Sequence, residues 1–310
     1  MKFINSNDNK RYYTFNYYLK ETYQSKVFKV SLNANFSCPN RDGFVGFGGC
    51  SFCSSSGSGE YAGNTQDNLI KQFEDIKEKM HLKWKDAKYI AYFQAYTNTY
   101  APLKRLKECY QPFLDNPDVL ALAIATRPDC LALETIAYLD SLTTQKDIWL
   151  ELGLQTTYDE SAQSFNRCYD YEVFLECLAK LEKTKLKVCV HLINGLPNET
   201  REMMIENVKR LSKLPIQAIK IHMLHLVTDA KMGQEYLKKP WSLLTLEEYV
   251  EICAEQLRYL REDIIIQRLT GDAKKENLIE PQWTLNKTNV LNSIDKYMVK
   301  NNYMQGDLSE

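Results

Sequence analysis

The chain has 310 residues and a formal net charge of −1, with 44% hydrophobic and 25% charged residues. This balance is ordinary for a globular protein and excludes a disordered or fibrous chain. No apolar run approaches the roughly 18 residues of a membrane span, and the amino terminus carries no apolar signal segment, so we expect a cytoplasmic protein without membrane contact. The near-zero net charge argues against global attraction to nucleic acid but leaves a local basic patch open.

The first predicted element is an N-terminal extension, residues 1–26, in which aromatic and basic side chains alternate between Arg11 and Tyr23. Aromatic rings interleaved with cations are typical of surfaces that hold unpaired bases. An aromatic helix that packs on the rest of the protein explains the pattern equally well. The sequence leaves both interpretations open.

From residue 27 onward, short β-branched or aromatic runs alternate with segments of helical spacing. Strands are predicted at 27–32, 89–96, 120–126, 148–154, 186–193, 218–226 and 264–269. Helices are predicted near 66–82, 102–114, 130–142, 170–183, 199–213 and 245–260. Such alternation predicts parallel strands joined by right-handed crossovers, and six units suit a full or partial α/β barrel. In such barrels the chemistry lies at the carboxyl ends of the strands.

The nine cysteines fall into two groups. An odd count without an export signal favours reduced thiols over a disulfide framework. Six isolated cysteines are expected to be small buried hydrophobes: Cys109, Cys130, Cys168, Cys177, Cys189 and Cys253. The other three, Cys38, Cys50 and Cys53, form a C-x11-C-x2-C pattern in a glycine-rich loop after the first strand.

The cysteine triple predicts a metal centre that the protein leaves one ligand short. A structural zinc site normally closes with four ligands, and a [4Fe–4S] cluster normally takes four thiolates. Three thiolates would leave one iron open for a substrate or cofactor. A zinc site closed by His81 or a distant thiol is one alternative, and three unconnected structural thiols are another. The glycine-rich spacing argues against the second alternative.

With this triple the sequence resembles the radical S-adenosylmethionine (SAM) enzymes, and its wide spacing resembles the branch that contains the radical SAM domain of the Elongator catalytic subunit. More closely, residues 27–310 resemble the bacterial YhcC/YtqA family. The segments that carry the resemblance are FSCPNRDG, GGCSFCSSSGSGEYAG, YFQAYTNTYAPL, ATRPDCL, WLELGLQT, HLINGLPNET, IKIHMLHL and RLTGD. The resemblance implies a partial (β/α)6 TIM-like barrel at 27–270, with short extensions at 1–26 and 271–310. It also implies two cofactors, a [4Fe–4S] cluster on the three cysteines and SAM at its open iron.

The activity that the resemblance implies is reductive cleavage of SAM to a 5′-deoxyadenosyl radical, with the cofactors supplying the chemistry. Gram-positive members of the YtqA/MnmL type are implied to convert 5-carboxymethylaminomethyl-uridine to 5-aminomethyl-uridine at wobble position 34 of tRNA. The implied partners are tRNA through its anticodon region, an electron donor such as flavodoxin or ferredoxin, and a downstream tRNA methyltransferase. A small-molecule or peptide substrate and a non-catalytic, metal-stabilised interaction module are the alternatives.

Residues at the strand ends match positions that bind SAM in radical SAM enzymes. Thr97 and Asn98 follow the second strand, where the methionine amino group is bound, although a polar helix cap is the alternative. Gln155 and Arg167 match the spacing of a Gly-Val-Gln motif and an arginine in the coproporphyrinogen-oxidase branch. The resemblance implies that Arg167 pairs with the methionyl carboxylate, whereas a solvated helix-capping arginine is the alternative.

Three more residues complete the candidate cofactor site. Glu151 shares a strand face with Gly153 and Gln155, so it is predicted to point into the barrel, where a buried carboxylate needs a partner. His191 stands where relatives often carry an acidic ribose-binding residue, and a ribose contact and a satisfied core histidine are equally open. Gly195 would let the backbone approach the ligand.

The last predicted elements carry histidines and lysines. His222 and His225 lie three residues apart on the sixth predicted strand, so they should face opposite sides, with one lining the barrel. The C-terminal extension, 271–310, contains Lys274, Lys275, Trp283, Lys287, Lys296 and Lys300. It is predicted either to close the barrel and contact phosphates or to present the lysines as a solvated face.

Overall fold

The architecture is a mixed α/β fold, which the computed structural model describes for residues 3–82 and 84–309. The strands are β1 (Val27–Leu32), β2 (Lys88–Phe93), β3 (Val119–Thr126), β4 (Asp147–Gln155), β5 (Lys187–Asn194), β6 (Ala218–Met223), β7 (Leu226–Val227), β8 (Ile265–Arg268) and β9 (Leu278–Glu280). The helices are α1 (Phe15–Tyr23), α2 (Leu69–His81), α3 (Leu103–Leu114), α4 (Leu133–Leu142), α5 (Asp159–Ser164), α6 (Tyr171–Leu181), α7 (Arg201–Ser212), α8 (Lys231–Lys238), α9 (Leu246–Tyr259) and α10 (Lys287–Lys300). Residues 1, 2 and 310 of the predicted extensions lie outside the described residues.

Seven parallel strands form one curled sheet in the order β1-β2-β3-β4-β5-β6-β8. β1 and β8 are its two edges, so the barrel is partial, and the predicted α/β half-barrel is confirmed. The chain before α1 protects the β8 edge, because the Ile266 amide donates to the Tyr13 carbonyl at 2.8 Å. Within 3–82 and 84–309, no helix combines the length and the apolar character that a membrane crossing requires.

The predicted sixth strand, 218–226, is divided in two by the structure. β6 ends at Met223, and β7 leaves the sheet to pair antiparallel with β9 in the C-terminal extension. The sequence also missed α10, although Asn286 caps it and Val290, Ile294 and Met298 recur every four residues on its buried face.

α1 fills the half-barrel at the amino ends of the strands. Thr14 caps this helix, and its apolar face buries Leu19. The rings of Phe15 and Tyr18 meet Trp149 of β4 edge-on, with centroids 6.0 and 5.7 Å apart. The N-terminal aromatic residues therefore pack on the barrel, which is the second of the two interpretations that the sequence left open.

Four of the six isolated cysteines are buried as expected, namely Cys109, Cys177, Cys189 and Cys253. The expectation is wrong for Cys168, which is exposed, and Cys130 is only half-buried. Cys168 has φ = 61° and lies in the loop between α5 and α6. It is therefore exposed on this loop and does not pack within a helix face.

Candidate functional site

A cavity of about 750 Å³ runs along the inside of the half-barrel. Its floor includes Phe15 and Leu19 of α1, and its mouth lies at the carboxyl ends of the strands, where Cys38, Cys50 and Cys53 line the wall. This volume lies within the range of cofactor and substrate sites. Five of the seven predicted cofactor contacts also line it, namely Thr97, Glu151, Gln155, Arg167 and His191.

The cysteine loop is held in place by backbone and side-chain hydrogen bonds. The Arg41 amide donates to the Cys38 carbonyl at 2.8 Å, and the Cys53 amide donates to the Cys50 carbonyl at 2.9 Å. Asn40 is fully buried, and its amide nitrogen lies 3.7 Å from Cys50 Sγ. Gly49 has φ = +81°, a left-handed conformation that favours glycine, and a Cβ there would lie 2.8 Å from Arg41 Nε.

The donor set fits an iron–sulfur cluster. Three cysteines line one cavity, and no fourth cysteine of the described chain lines it. Burial raises the pKa of Cys50 to about 12 and also raises that of Cys53, so binding of a metal centre must displace protons from these thiols. When bound, the cluster and SAM supply the one-electron chemistry.

The zinc alternative needs a fourth ligand, and the structure leaves His81 at the exposed end of α2, outside the cavity. Across 3–82 and 84–309, no three His, Cys, Asp or Glu side chains converge on a single ion. Thiolates of a cubane cluster bind separate irons, so the cluster interpretation does not require such convergence.

Thr97 and Asn98 have different surroundings. Thr97 lines the cavity and is available to a ligand. Asn98 is fully buried behind it, where its amide nitrogen donates to the carbonyls of Phe93, Ala95 and Ala125 at 3.0–3.1 Å. Asn98 therefore braces the ends of β2 and β3, and the cavity surface at this point belongs to Thr97.

Arg167 is 1% exposed, so the solvated-arginine alternative is wrong. Its Nε donates to the Tyr169 carbonyl at 2.9 Å, and Nη1 donates to the carbonyls of Leu154 and Thr156 at 2.8 and 2.7 Å. Its Nη2 contacts the Asp159 carboxylate at 3.1 Å. Protein acceptors thus take four of the five N–H donors, and a contact with the SAM carboxylate depends on the fifth.

Gln155 and Gly195, two further predicted cofactor contacts, also differ in their surroundings. Gln155 ends β4 at a register shift, has φ = +65° and lines the cavity. Gly195 has φ = +88° and does not line the cavity, and its amide lies 3.3 Å from Met204 Sδ. A Cβ at Gly195 would meet Leu244 at 3.3 Å, so its backbone conformation and packing account for the glycine without a ligand.

Glu151 is buried in the cavity wall, as predicted for an inward-facing residue of β4, and basic side chains surround it. Its carboxylate accepts hydrogen bonds from Lys29 of β1 and Lys220 of β6, and it lies 3.1 Å from His191 Nε2. The sequence analysis missed both lysines. A single lysine within each otherwise largely apolar strand was the signal that could have found them.

Burial and charge set the ionisation of this group. Burial disfavours the Glu151 carboxylate, yet Lys220 and Lys29 hold its pKa well below the usual range. Burial lowers the pKa of Lys220 to about 8. Burial and the neighbouring Lys220 lower the pKa of His191 to about 4, so this imidazole is neutral at pH 7. Nε2 of His191 contacts Glu151, and the ring also lines the cavity.

Both His222 and His225 line the cavity, so the expectation that only one would do so is wrong. The reason is that β6 ends at Met223, and the regular alternation of strand faces stops before His225. The Nε2 atoms of both histidines are buried and have no hydrogen-bond partner within the described residues. Burial lowers the pKa of His225 to about 4.

The segment after the cysteines reaches across the cavity mouth. Ser55 donates through its amide and hydroxyl to the Asp229 carboxylate at 3.0 and 2.6 Å. The Tyr61 hydroxyl donates to the carbonyl of Ala273, in the C-terminal extension, at 3.2 Å. Of the lysines in that extension, Lys287 lines the cavity, whereas Lys296 and Lys300 are exposed on α10.

Two protein-family models and one solved structure match most of this chain between them. The Radical SAM superfamily model matches residues 40–211, and the Radical_SAM C-terminal domain model matches residues 216–300. A solved structure of the archaeal Methanocaldococcus infernus Elp3 superposes with a TM-score of 0.67 at 16% identity. That match covers 91% of this chain and 64% of the Elp3 chain, and it is a likeness of fold.

Curated relatives match over most of this chain. The uncharacterized protein YtqA of Bacillus subtilis (strain 168) is 47% identical over 301 residues, 97% of this chain and 94% of that protein. Protein YhcC of Escherichia coli (strain K12) is 34% identical and covers 90% of each chain. A partial match to the tRNA uridine(34) acetyltransferase of Methanocaldococcus jannaschii has 24% identity over 184 residues, 58% of this chain and 33% of that protein. The chain therefore belongs to the radical SAM superfamily, whose cofactors are a [4Fe–4S] cluster and SAM, and within it to the YhcC/YtqA family.

Proposed function

We infer that this radical SAM enzyme modifies wobble uridine 34 of tRNA, converting 5-carboxymethylaminomethyl-uridine to 5-aminomethyl-uridine. The observation that carries the proposal is the partial match between this chain and a tRNA uridine(34) acetyltransferase. A base inside an anticodon loop must leave its stack before its substituent can enter an enzyme cavity. The cavity of about 750 Å³ opens at the carboxyl ends of the strands, where an extruded base would enter.

Each residue of the site has a proposed role. Cys38, Cys50 and Cys53 would hold the cluster at the cavity mouth. Thr97 and Gln155, which line the cavity, would orient SAM with the last free N–H of Arg167 and with the ring of His191. Glu151 would set the charge at the inner wall through its two lysines. Asn98 and Gly195 would support the loops around the site without touching a ligand.

The division of the chain follows from these roles. Residues 27–270 would form the radical SAM core, 1–26 would close its amino end, and 271–310 would cover part of the mouth.

The reaction requires an electron donor such as flavodoxin or ferredoxin, and the amine product would pass to a tRNA methyltransferase. Reduced thiols and a tRNA substrate would place the reaction in the cytoplasm.

The experiment that tests the proposal is mass spectrometry of tRNA nucleosides from cells with and without this protein. We expect 5-carboxymethylaminomethyl-uridine to accumulate without it and to fall again when the wild-type gene is restored. A gene carrying Cys53→Ala should not restore the modification. Identical nucleosides in both strains would contradict the tRNA substrate, and a small-molecule or peptide substrate would then be sought for the same radical chemistry.

A further inference from the structure

The cavity wall formed by β6 and β8 carries two cations side by side. Lys220 and Arg268 are register partners on these neighbouring strands, and both side chains line the cavity. Like charges that face each other across strands repel and destabilise the sheet. A nearby anion would reduce the repulsion between these two cations.

The carboxylates of this wall do not balance its cations. The cations are Lys29, Lys220, Arg268 and Lys287, and the carboxylates are Glu151 and Asp272. Glu151 is shared by two lysines, and Asp272 is shared by Arg268, at 2.6 Å, and Lys287. Four positive charges against two negative charges leave a surplus of two in this part of the cavity.

Unused hydrogen-bond donors accompany the surplus charge. The ammonium of Lys220 directs two of its three donors to Glu151 and to the Tyr92 hydroxyl, the latter at 3.3 Å. Arg268 has five N–H donors, and Asp272 is the only hydrogen-bond acceptor that the described residues offer it. Both cations can therefore bind a further acceptor without losing their protein partners.

Two uncharged groups add to this excess of donors. His222 follows Lys220 by two residues on β6, on the same inward face, and its buried Nε2 has no partner among the described residues. Gln267, beside Arg268, accepts a hydrogen bond from Lys29 at 2.7 Å, but its buried amide nitrogen is equally unpartnered. An amide nitrogen donates, and a neutral imidazole donates through Nε2 in the tautomer that is protonated there, so both groups can bind an acceptor at this wall.

We propose that Lys220, Arg268 and His222 form a subsite that binds a carboxylate on the side chain of the substrate base. The subsite rests on the proposed function, in which the group attached to uridine ends in a carboxylate. A carboxylate accepts from a guanidinium through two parallel hydrogen bonds and supplies the missing negative charge.

The depth of the subsite favours a base substituent over a phosphate. Lys220 is 5% exposed and lies within the half-barrel, beneath the rim of loops at the mouth. A nucleotide that enters base first carries its C5 substituent inward, whereas its phosphates remain outside. The carboxylate of SAM is expected near the three thiols instead.

The test compares two anticodon stem-loops that differ by one group. One carries 5-carboxymethylaminomethyl-uridine at position 34, and the other carries 5-methylaminomethyl-uridine, in which hydrogen replaces the carboxylate. Binding is measured on the cluster-loaded enzyme with SAM and without reductant, so that no turnover occurs. We expect the wild type to bind the acidic loop about tenfold or more tightly, as for a hydrogen-bonded charged group.

Arg268→Gln and Lys220→Met should reduce this preference to less than about threefold by weakening binding of the acidic loop alone. Arg268 is partly exposed, so this variant serves if Lys220→Met does not fold. Lys187→Met is the matched control, because Lys187 pairs with Asp147 at the closed end and does not line the cavity. It should keep the wild-type preference.

Several outcomes would overturn the subsite. One is equal binding of both loops by the wild type, and another is a preference for the acidic loop that both variants retain. Equal weakening of both loops in the variants would indicate phosphate contacts. Loss of SAM affinity in the variants would assign the cations to SAM. Turnover separates the subsite from the reaction. A wild type that converts the acidic tRNA but binds both loops equally refutes only the subsite, whereas one that prefers the acidic loop without converting it refutes only the reaction.

Discussion

The two ends of the half-barrel differ in whether their side chains have partners within the protein. At the closed end, the rings of Phe15 and Trp149 pack edge to face beside the buried Leu19. Lys187 donates to Asp147 and to the Tyr18 hydroxyl, both at 2.7 Å. Toward the open end, thiols, unpartnered histidine nitrogens and surplus cations line a cavity. Groups that are already satisfied stabilise the fold, whereas unsatisfied groups remain available to bind ligands.

The sharpest way to test this division is to remove a thiol from the open end. Cys53→Ala should reduce SAM cleavage to background while leaving the fold intact, because a cluster with two protein thiolates is not held for catalysis. The measurement is 5′-deoxyadenosine formed under reducing, oxygen-free conditions. The matched control is Cys168→Ala, which removes an exposed thiol outside the cavity and should retain activity. Full cleavage by the Cys53 variant would refute the ligand assignment.

A substitution in the core of the closed end should lower the free energy of unfolding. Trp149→Ala removes a side chain that is 1% exposed, and it should lower the free energy of unfolding by about 3–5 kcal/mol through lost burial and a cavity. Trp84→Ala, at a tryptophan that is 43% exposed, should cost less than about 1 kcal/mol. Oxygen-free chemical denaturation measures both. Equal costs would contradict the assignment of the closed end as the stabilising one.

Acid should lower the stability of the fold by protonating the histidines of the cavity when the chain unfolds. Burial holds the pKa of His191 and of His225 at about 4 in the fold, against 6.5 in the unfolded chain. As the pH falls below 6.5, the unfolded state gains protons that the folded state does not, so stability falls until about pH 4. Each histidine contributes up to about 3 kcal/mol to this loss. Unfolding measured at several pH values should show a shallower decline for His225→Gln, and an unchanged slope would argue against a buried neutral imidazole.

The smallest expected effect concerns a single SAM contact. Gln155→Ala should weaken SAM binding by roughly three- to tenfold, since one neutral hydrogen bond is lost at the cavity wall. Gln163→Ala, an exposed glutamine on α5, is the matched control and should bind SAM as the wild type does. Isothermal titration of the cluster-loaded protein under oxygen-free conditions measures both affinities. Equal affinities would remove Gln155 from the site.

Local patterns in the sequence were sufficient for much of the fold and for part of the site. The alternation of strands and helices predicts the parallel half-barrel, because each crossover is determined by neighbouring segments. The C-x11-C-x2-C spacing places three thiols in one loop, since all three lie within 16 consecutive residues. Errors arose where regular alternation stopped, as at Met223, after which His225 turned back into the cavity.

Partnerships across the barrel were decided by the tertiary structure alone. Lys29 and Lys220 lie 122 and 69 residues from Glu151, and the curl of the sheet brings their side chains to one carboxylate. Arg167 looks free in the sequence, yet carbonyls and a carboxylate occupy four of its donors. The sequence by itself determined the alternation of strands and helices, the thiol loop and the family, because each is written in contiguous residues. Which side chains are satisfied and which remain open to a ligand depends on distances between strands far apart in the chain, and only the folded barrel sets those distances.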